Sequence, residues 1–340
     1  VVAFRWMWRR LALMENVYSL DHLNTLIQAC PTPAIVLTRE RTRIDAALLD
    51  RLPKLRLISQ TGKLAGHVDV PACTARGVLV AEGSGAGSAT AEIAWALALA
   101  SRRHLVSEAN RLRSGQWQGH LGQQLSGQRL GVWSYGRIGR QVAGYGRAFG
   151  MQVWVWGREA STAAARADGF EVAPSREAFF AQSDVISLHV RLGPQTMGLV
   201  TAEDLARMKP TALMVNTSRA ELIAPGALEH ALAQGRPGFA AVDVYEQEPV
   251  LGAQHPLLAL PNALCTPHIG YVEKDNYERY FGIAFDNILA YAAGRLTEVV
   301  NPAASPAAAG CTGSSRRRCA APAGGRRAAA GRDGRLPRCS

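Results

Sequence analysis

Three residues far apart in the chain carry side chains suited to one reaction: Arg219, Glu248 and His268. Each follows a short apolar run. Leu213–Asn216 leads into Thr217-Ser218-Arg219. Phe239–Val244 contains Asp243 and leads into Tyr245-Glu246-Gln247-Glu248-Pro249. Ala263–Thr266 leads into Pro267-His268-Ile269-Gly270. Taking a hydride from a 2-hydroxy acid also requires removal of the hydroxyl proton, and an imidazole accepts that proton near neutral pH. A neighbouring carboxylate favours the imidazolium and fixes the ring tautomer, which suits Glu248. A guanidinium binds a carboxylate in a planar fork and polarises the adjacent carbonyl, which suits Arg219. In the reducing direction His268 would donate the proton. Taken singly, each residue has an ordinary explanation, since the chain has eight histidines. Their order on successive strand ends is the informative feature, because open parallel sheets bind ligands at the carboxyl ends of their strands.

A second constellation lies upstream. The run Arg129–Trp133 enters Ser134-Tyr135-Gly136-Arg137-Ile138-Gly139, and a helical pattern continues to about Phe149. A strand, a small-residue turn and a helix form the setting of the dinucleotide-binding fingerprint. Gly136 would let the backbone approach a pyrophosphate, and Gly139 would let helix and strand pack closely. The helix N-terminus offers N–H groups to the phosphates. Ser134 stands where the first glycine is usual. A positive φ there would cost about 1–2 kcal/mol. The next strand, Gln152–Trp156, ends in Gly157-Arg158-Glu159. Gly157 occupies the place of the acid that accepts from the ribose of NAD. Arg158 can pair with a 2′-phosphate, so either NAD or NADP is expected, with the lean to NADP. Glu159 remains within reach of the ribose.

Positioning these residues requires alternating strands and helices, hence an α/β fold with parallel sheets. Further strands are expected at Ala34–Thr38, Leu55–Gln60, Val78–Ala81 and Asp184–His189. One long helix is expected from Ala89 to about Leu112, and another over Lys274–Ala293. A chain of 340 residues allows two domains. Residues 1–98 are expected to bind substrate, and 99–269 to form a Rossmann cofactor domain. Residues 270–302 would return as a helix to the first domain.

Residues 303–340, rich in Ala, Gly and Arg, are expected to form a disordered tail. The formal charge of +11 concentrates there: residues 301–340 carry eight Arg and one Asp, leaving 30 basic and 26 acidic residues in the body. No specific nucleic-acid partner is therefore expected. The six cysteines show no CxxC spacing, so no metal site is expected, and reduced thiols fit a cytoplasmic protein. No run approaches a membrane span.

Several stretches resemble the D-isomer-specific 2-hydroxyacid dehydrogenase family. They are Leu130–Gly139, Ser183–His189, Met208–Arg219 (MKPTALMVNTSR), Ala241–Pro249 (AVDVYEQEP) and Thr266–Gly270 (TPHIG). With Leu55–Gly77 and Ala89–Arg103, the resemblance spans roughly 34–302. It implies a Rossmann domain plus a flavodoxin-like substrate domain, both doubly wound, and a small 2-keto or 2-hydroxy acid substrate. It also implies a homodimer. It places Arg219, Glu248 and His268 on the family's catalytic residues and Asp243 on the acid that holds the nicotinamide carboxamide. Thr90 and Thr217 fall at the cofactor. The turn Thr61–Gly66 falls on the loop whose amides bind the substrate carboxylate, with Leu64 and Lys63 as candidate contacts. Departures are Ser134, Arg191 where proline is common, Ala220, Tyr271, and an opening Val1–Ser19 unlike the family's first strand. A nucleotide-sensing, corepressor-like module without turnover is the alternative function.

Overall fold

The computed structural model describes residues 34–37 and 43–304, apart from 65, 86, 296 and 297. The unusual opening Val1–Ser19 and residues 305–340 lie outside the described residues.

Two parallel sheets organise the chain. The smaller has the order β1-β2-β3, from Ala34–Leu37, Leu57–Gln60 and Leu79–Ala81. Its residues alternate between two apolar layers. Ile58 and Val80 face Leu49 and Cys73 of the helices α1 (Ala46–Asp50) and α2 (Val70–Ala75). Leu57, Leu79 and Ala81 face Ile288 and Tyr291 of a later helix. Strand periodicity of two, with helices on both faces, buries both sides of the sheet, the polar Ser59 and Gln60 of β2 included. The edge of β3 is covered by the chain's return: Val299 bridges Ala81, and Asn301 Oδ1 accepts from the Val80 N–H at 2.7 Å. Asn301 Nδ2 also donates to the Val78 carbonyl at 2.9 Å.

The larger sheet has seven parallel strands. Alongside its early strands run α3 (Ser88–Arg102), α4 (Leu105–Arg113), β4 (Arg129–Trp133), α5 (Arg137–Ala148), β5 (Gln152–Trp156) and α6 (Glu159–Ala167). Next come β6 (Glu171–Val172), α7 (Arg176–Gln182), β7 (Val185–Leu188), α8 (Ala202–Arg207) and β8 (Leu213–Asn216). The last are α9 (Ala227–Ala233), β9 (Phe239–Val242), β10 (Ala263–Cys265) and α10 (Lys274–Ala292). The spatial order β10-β9-β8-β7-β4-β5-β6 reverses direction between β4 and β7, the point at which doubly wound sheets open a ligand crevice. Alternation again splits the core. Leu213 and Val215 face one layer with Leu130, Val132 and Val155; Met214 faces the other with Phe179, Phe180 and Ile186.

Two expectations change, and one strand is added. The helix expected over 89–112 is two, because His104 turns the chain at φ 51°. Buried Arg102 anchors the break. Its guanidinium donates to the Thr211 carbonyl and Gln128 Oε1, and its own carbonyl accepts from the Gln123 N–H at 2.8 Å. Residues 303 and 304, expected in the tail, belong instead to the 3-10 turn Pro302–Ala304, with Ala304 buried against β2 and β3. The short edge strand β6 was not expected at all. Ala91, Ala94 and Trp95 of α3 lie in the core of the larger sheet.

Candidate active site

Register sets the site. Trp156, Trp133, Leu188, Asn216, Val242 and Cys265 are lateral partners in one row across the larger sheet. Every candidate segment after those residues therefore leaves from the same edge, with neighbouring strands about 4.8 Å apart.

At one end of the row, both Glu248 oxygens lie against His268 Nδ1, at 2.9 and 2.7 Å. A carboxylate on Nδ1 fixes that nitrogen as the protonated one and leaves Nε2 to exchange a proton. Glu248 Oε1 also accepts from the Tyr245 N–H at 3.2 Å. His268 has φ 53°, a left-handed backbone that is unusual for histidine. The cause is Asp243. Its Oδ1 accepts from Thr266 Oγ1 (2.6 Å) and the Ile269 N–H (2.9 Å), and its Oδ2 from the Gly270 N–H (2.7 Å). Asp243 thus grips the chain on both sides of His268. Burial pushes its carboxyl above the ordinary range, and those three donors with the nearby His268 partly offset the effect. Strained backbone held by surrounding bonds is a mark of functional sites.

Arg219 is half-buried and starts the 3-10 turn Ala220–Leu222, with Nη1 donating to the Ser218 carbonyl at 2.7 Å. Asn216 shapes this segment. Its Nδ2 donates to the Arg219 carbonyl at 2.9 Å, and its Oδ1 accepts from the Ser218 N–H at 3.0 Å. Thr217 Oγ1 is enclosed with no hydrogen-bond partner among the described residues. Thr90 stands beside Gly270, so it joins the Asp243 loop.

The fingerprint turn has the geometry of a phosphate cradle. A Cβ on Gly136 would meet nothing within 4 Å, which leaves room above the turn, and α5 carries no side-chain cap on its N-terminus. Gly139 is pressed against the strand end: a Cβ there would lie 2.1 Å from the Ser134 carbonyl oxygen. Ser134 adopts φ 78° without being glycine. Ile138 is half-buried. Arg137 reaches sideways to donate to the Gly85 carbonyl. At the next strand end Gly157 has φ 155°, a conformation essentially reserved for glycine, so no acid could stand there. Arg158 is exposed at the uncapped start of α6. Glu159 turns to Thr162 and Arg166. The residues present fit a dinucleotide.

The turn Thr61–Gly66, expected to bind the substrate carboxylate, faces a carboxylate of the chain itself. Lys63 Nζ and the Leu64 N–H both point at one carboxylate, Glu82, at 2.5 and 3.1 Å. From the larger sheet Arg191 reaches across and donates to the Leu64 carbonyl at 3.0 Å. Sequence reasoning missed Glu82. Its signal was an acid directly after a strand, at the carboxyl edge where ligands bind. Tyr271 packs edge-on to the His268 ring at 5.6 Å, and Tyr280 lies near Gly62 and Gly85. Tyr271 narrows the space beside the imidazole.

Elsewhere, ligand atoms of Glu229, Glu246 and His255 lie within 4.8 Å of one another. His255 Nδ1 accepts from the Leu257 N–H at 3.3 Å, so Nε2 carries the proton toward Glu246 at 3.1 Å.

The profile described as "D-isomer specific 2-hydroxyacid dehydrogenase, NAD binding domain" matches residues 95–270. A glyoxylate reductase from Aeropyrum pernix is 34% identical over 289 residues, covering 82% of this chain and 86% of that protein. The chain belongs to the D-isomer-specific 2-hydroxyacid dehydrogenase family. Among solved structures, a phosphoglycerate oxidoreductase from Vibrio cholerae is 49% identical, with a TM-score of 0.75, covering 82% of this chain and 90% of that one. A D-lactate dehydrogenase from Aquifex aeolicus, solved with NAD and lactic acid, is 26% identical with a TM-score of 0.69, covering 82% and 89%. This dehydrogenase is an oxidoreductase that moves a hydride between a nicotinamide dinucleotide and a small 2-hydroxy acid or its 2-keto form. No described helix is long and apolar enough to cross a membrane.

Proposed function

We propose that this dehydrogenase reduces a compact 2-keto acid of the size of glyoxylate or hydroxypyruvate, with His268 as proton donor, Glu248 as its partner and Arg219 as carboxylate clamp. The observation that carries this assignment is the Glu248–His268 pair, held in a left-handed turn by Asp243 at the carboxyl edge of the sheet. A bound nicotinamide supplies the hydride. The residues do the rest. Arg219 and the turn at 61–66 orient the substrate carboxylate. The Nδ1–H donated to Glu248 keeps the imidazole in one tautomer, so Nε2 faces the reacting oxygen and delivers the proton. Glu248 stabilises the charged ring before transfer. Tyr271 against the imidazole favours a short substrate side chain.

The cofactor would lie along Ser134, Gly136, Arg137, Ile138 and Gly139, with Thr90, Thr217 and Asp243 toward its nicotinamide end. Gly157 without a carboxylate and exposed Arg158 support NADP over NAD. Arg158→Ala should then raise KM for NADPH far more than for NADH; an equal rise for both would count against it. We divide the domains near Gly87, where α3 joins the larger sheet, and return the chain to the smaller sheet with α10. Ser59 Oγ donates to the Ala284 carbonyl at 3.0 Å there.

A homodimer is supported by one apolar arm. Trp117 is 74% and Leu121 95% exposed, next to exposed Leu105, Val106 and Leu112. A patch of this kind marks a protein interface. Sedimentation of Leu121→Glu as a monomer would support it. Free Cys73 and Cys265 suit the cytoplasm, and the assignment includes no nucleic-acid partner.

The central test is a panel of glyoxylate, hydroxypyruvate, pyruvate and bulkier keto acids with NADPH and NADH. His268→Ala should lower kcat by about a hundredfold or more while cofactor still binds. Full activity in that variant would remove His268 from the chemistry.

A further inference from the structure

Resting on the active-site assignment above, the substrate turn adds a residue to the reaction. Lys63 Nζ and the Leu64 N–H converge on Glu82, 2.5 Å and 3.1 Å away, one on each oxygen. These are a cation and a backbone donor, the two kinds of group that bind a carboxylate. The pair is not deeply buried: the Glu82 side chain is 22% exposed and that of Lys63 53%. A carboxylate arriving from solvent can therefore contest it. We propose that Glu82 is a specificity-determining residue, whose carboxylate holds the donors that a substrate carboxylate needs. Binding at this turn is then an exchange of one carboxylate for another.

Two observations and one general rule fit an exchange rather than a fixed strut. Burial works to raise the Glu82 carboxyl, but Lys63, the Leu64 N–H and Arg191 outweigh it and hold the group below its ordinary range. Glu82 is thus held toward its anionic form, matched in charge to the group that replaces it. Arg191 fixes the Leu64 carbonyl independently, from the other sheet. The turn therefore keeps its shape when Glu82 lets go. Finally, exposed ion pairs are weak, and displacing one is feasible for a ligand that restores the same bonds. A neutral carbonyl compound cannot restore them, so only an acid can displace Glu82 from these donors.

Two variants of the full chain test this, Glu82→Gln and Glu82→Asp. Gln removes the charge. Asp keeps the charge but is too short to reach both donors. KM for glyoxylate with saturating NADPH is measured beside kcat. The Kd for oxalate with NADPH bound is a second readout that needs no turnover. Exchange predicts that both variants lower KM and Kd by about fivefold, equivalent to roughly 1 kcal/mol, with kcat within about twofold of the parent. A fall in Gln alone overturns the proposal, since distant charge would then explain it. Unchanged or weaker binding in both overturns it too and leaves Glu82 as scaffold. Should Gln fail to melt cooperatively, Asp decides alone. His268→Ala, which lowers kcat while cofactor still binds, tests the active-site assignment separately.

Discussion

Replacing Ser134 by glycine should stabilise this dehydrogenase. Ser134 sits at φ 78°, and its N–H donates to the Trp156 carbonyl at 2.7 Å, so the strand pairing of β4 with β5 holds it there. For a residue with a Cβ, left-handed backbone costs about 1–2 kcal/mol. Glycine relieves that cost but loses about 0.5–1 kcal/mol more backbone entropy on folding. The difference is a net gain of about 0.5–1 kcal/mol. For a protein of this size that moves the thermal midpoint by roughly 2 °C. Ser134→Ala is the control: it keeps the Cβ, so it should gain nothing. Thermal melts of parent, Gly and Ala variants side by side give the answer. A Gly variant no more stable than Ala would show that the left-handed turn is not strained. The same substitution restores the usual fingerprint glycine, so cofactor affinity should hold or improve.

Gly139→Ala should destabilise the protein by about 2–3 kcal/mol or more, because its Cβ would lie 2.1 Å from backbone oxygen of Ser134; a urea midpoint unchanged within error would contradict the packing. Asp243→Asn puts an NH₂ opposite one of three donors and should cost about 2–3 kcal/mol, together with a fall in kcat as His268 loses its seat. Retained kcat would show that the left-handed histidine does not depend on Asp243. His189 supplies a pH prediction. Burial lowers its pKa to about 4, and Nδ1 is enclosed without a partner among the described residues. The unfolded chain takes up a proton near pH 6.5 that the fold refuses until about pH 4, so stability falls with pH across that window. Urea titrations at pH 7 and 5 should show a smaller loss for His189→Gln than for the parent; equal losses would place the effect elsewhere.

What could be read in the chain were features carried by local sequence. Strand–turn–helix at 129–149 is one, since its small residues and apolar run are contiguous. TPHIG and AVDVYEQEP are others, since each strand end brings its own side chain. Their convergence could be inferred because parallel strands in register end together, and the row from Trp156 to Cys265 does so. What escaped depends on contacts between distant segments. Residues 89–112 have one apolar pattern, but the helix ends because Arg102 finds Thr211 and Gln128, far along the chain. Asp243 could be placed near the cofactor by resemblance, yet its grip on Ile269 and Gly270 is a matter of geometry. Glu82 is the clearest case. Nothing in its neighbours predicts that it would face Lys63, 19 residues earlier. Nor does sequence say that Arg191, 127 residues beyond Leu64, would brace the same turn. Both lie at carboxyl ends of strands, so the strand-end rule that located His268 applies equally to the smaller sheet. The site proposed above therefore draws on two sheet edges, and Glu82, the residue proposed to tune substrate binding, stands on the one with fewer recognisable motifs.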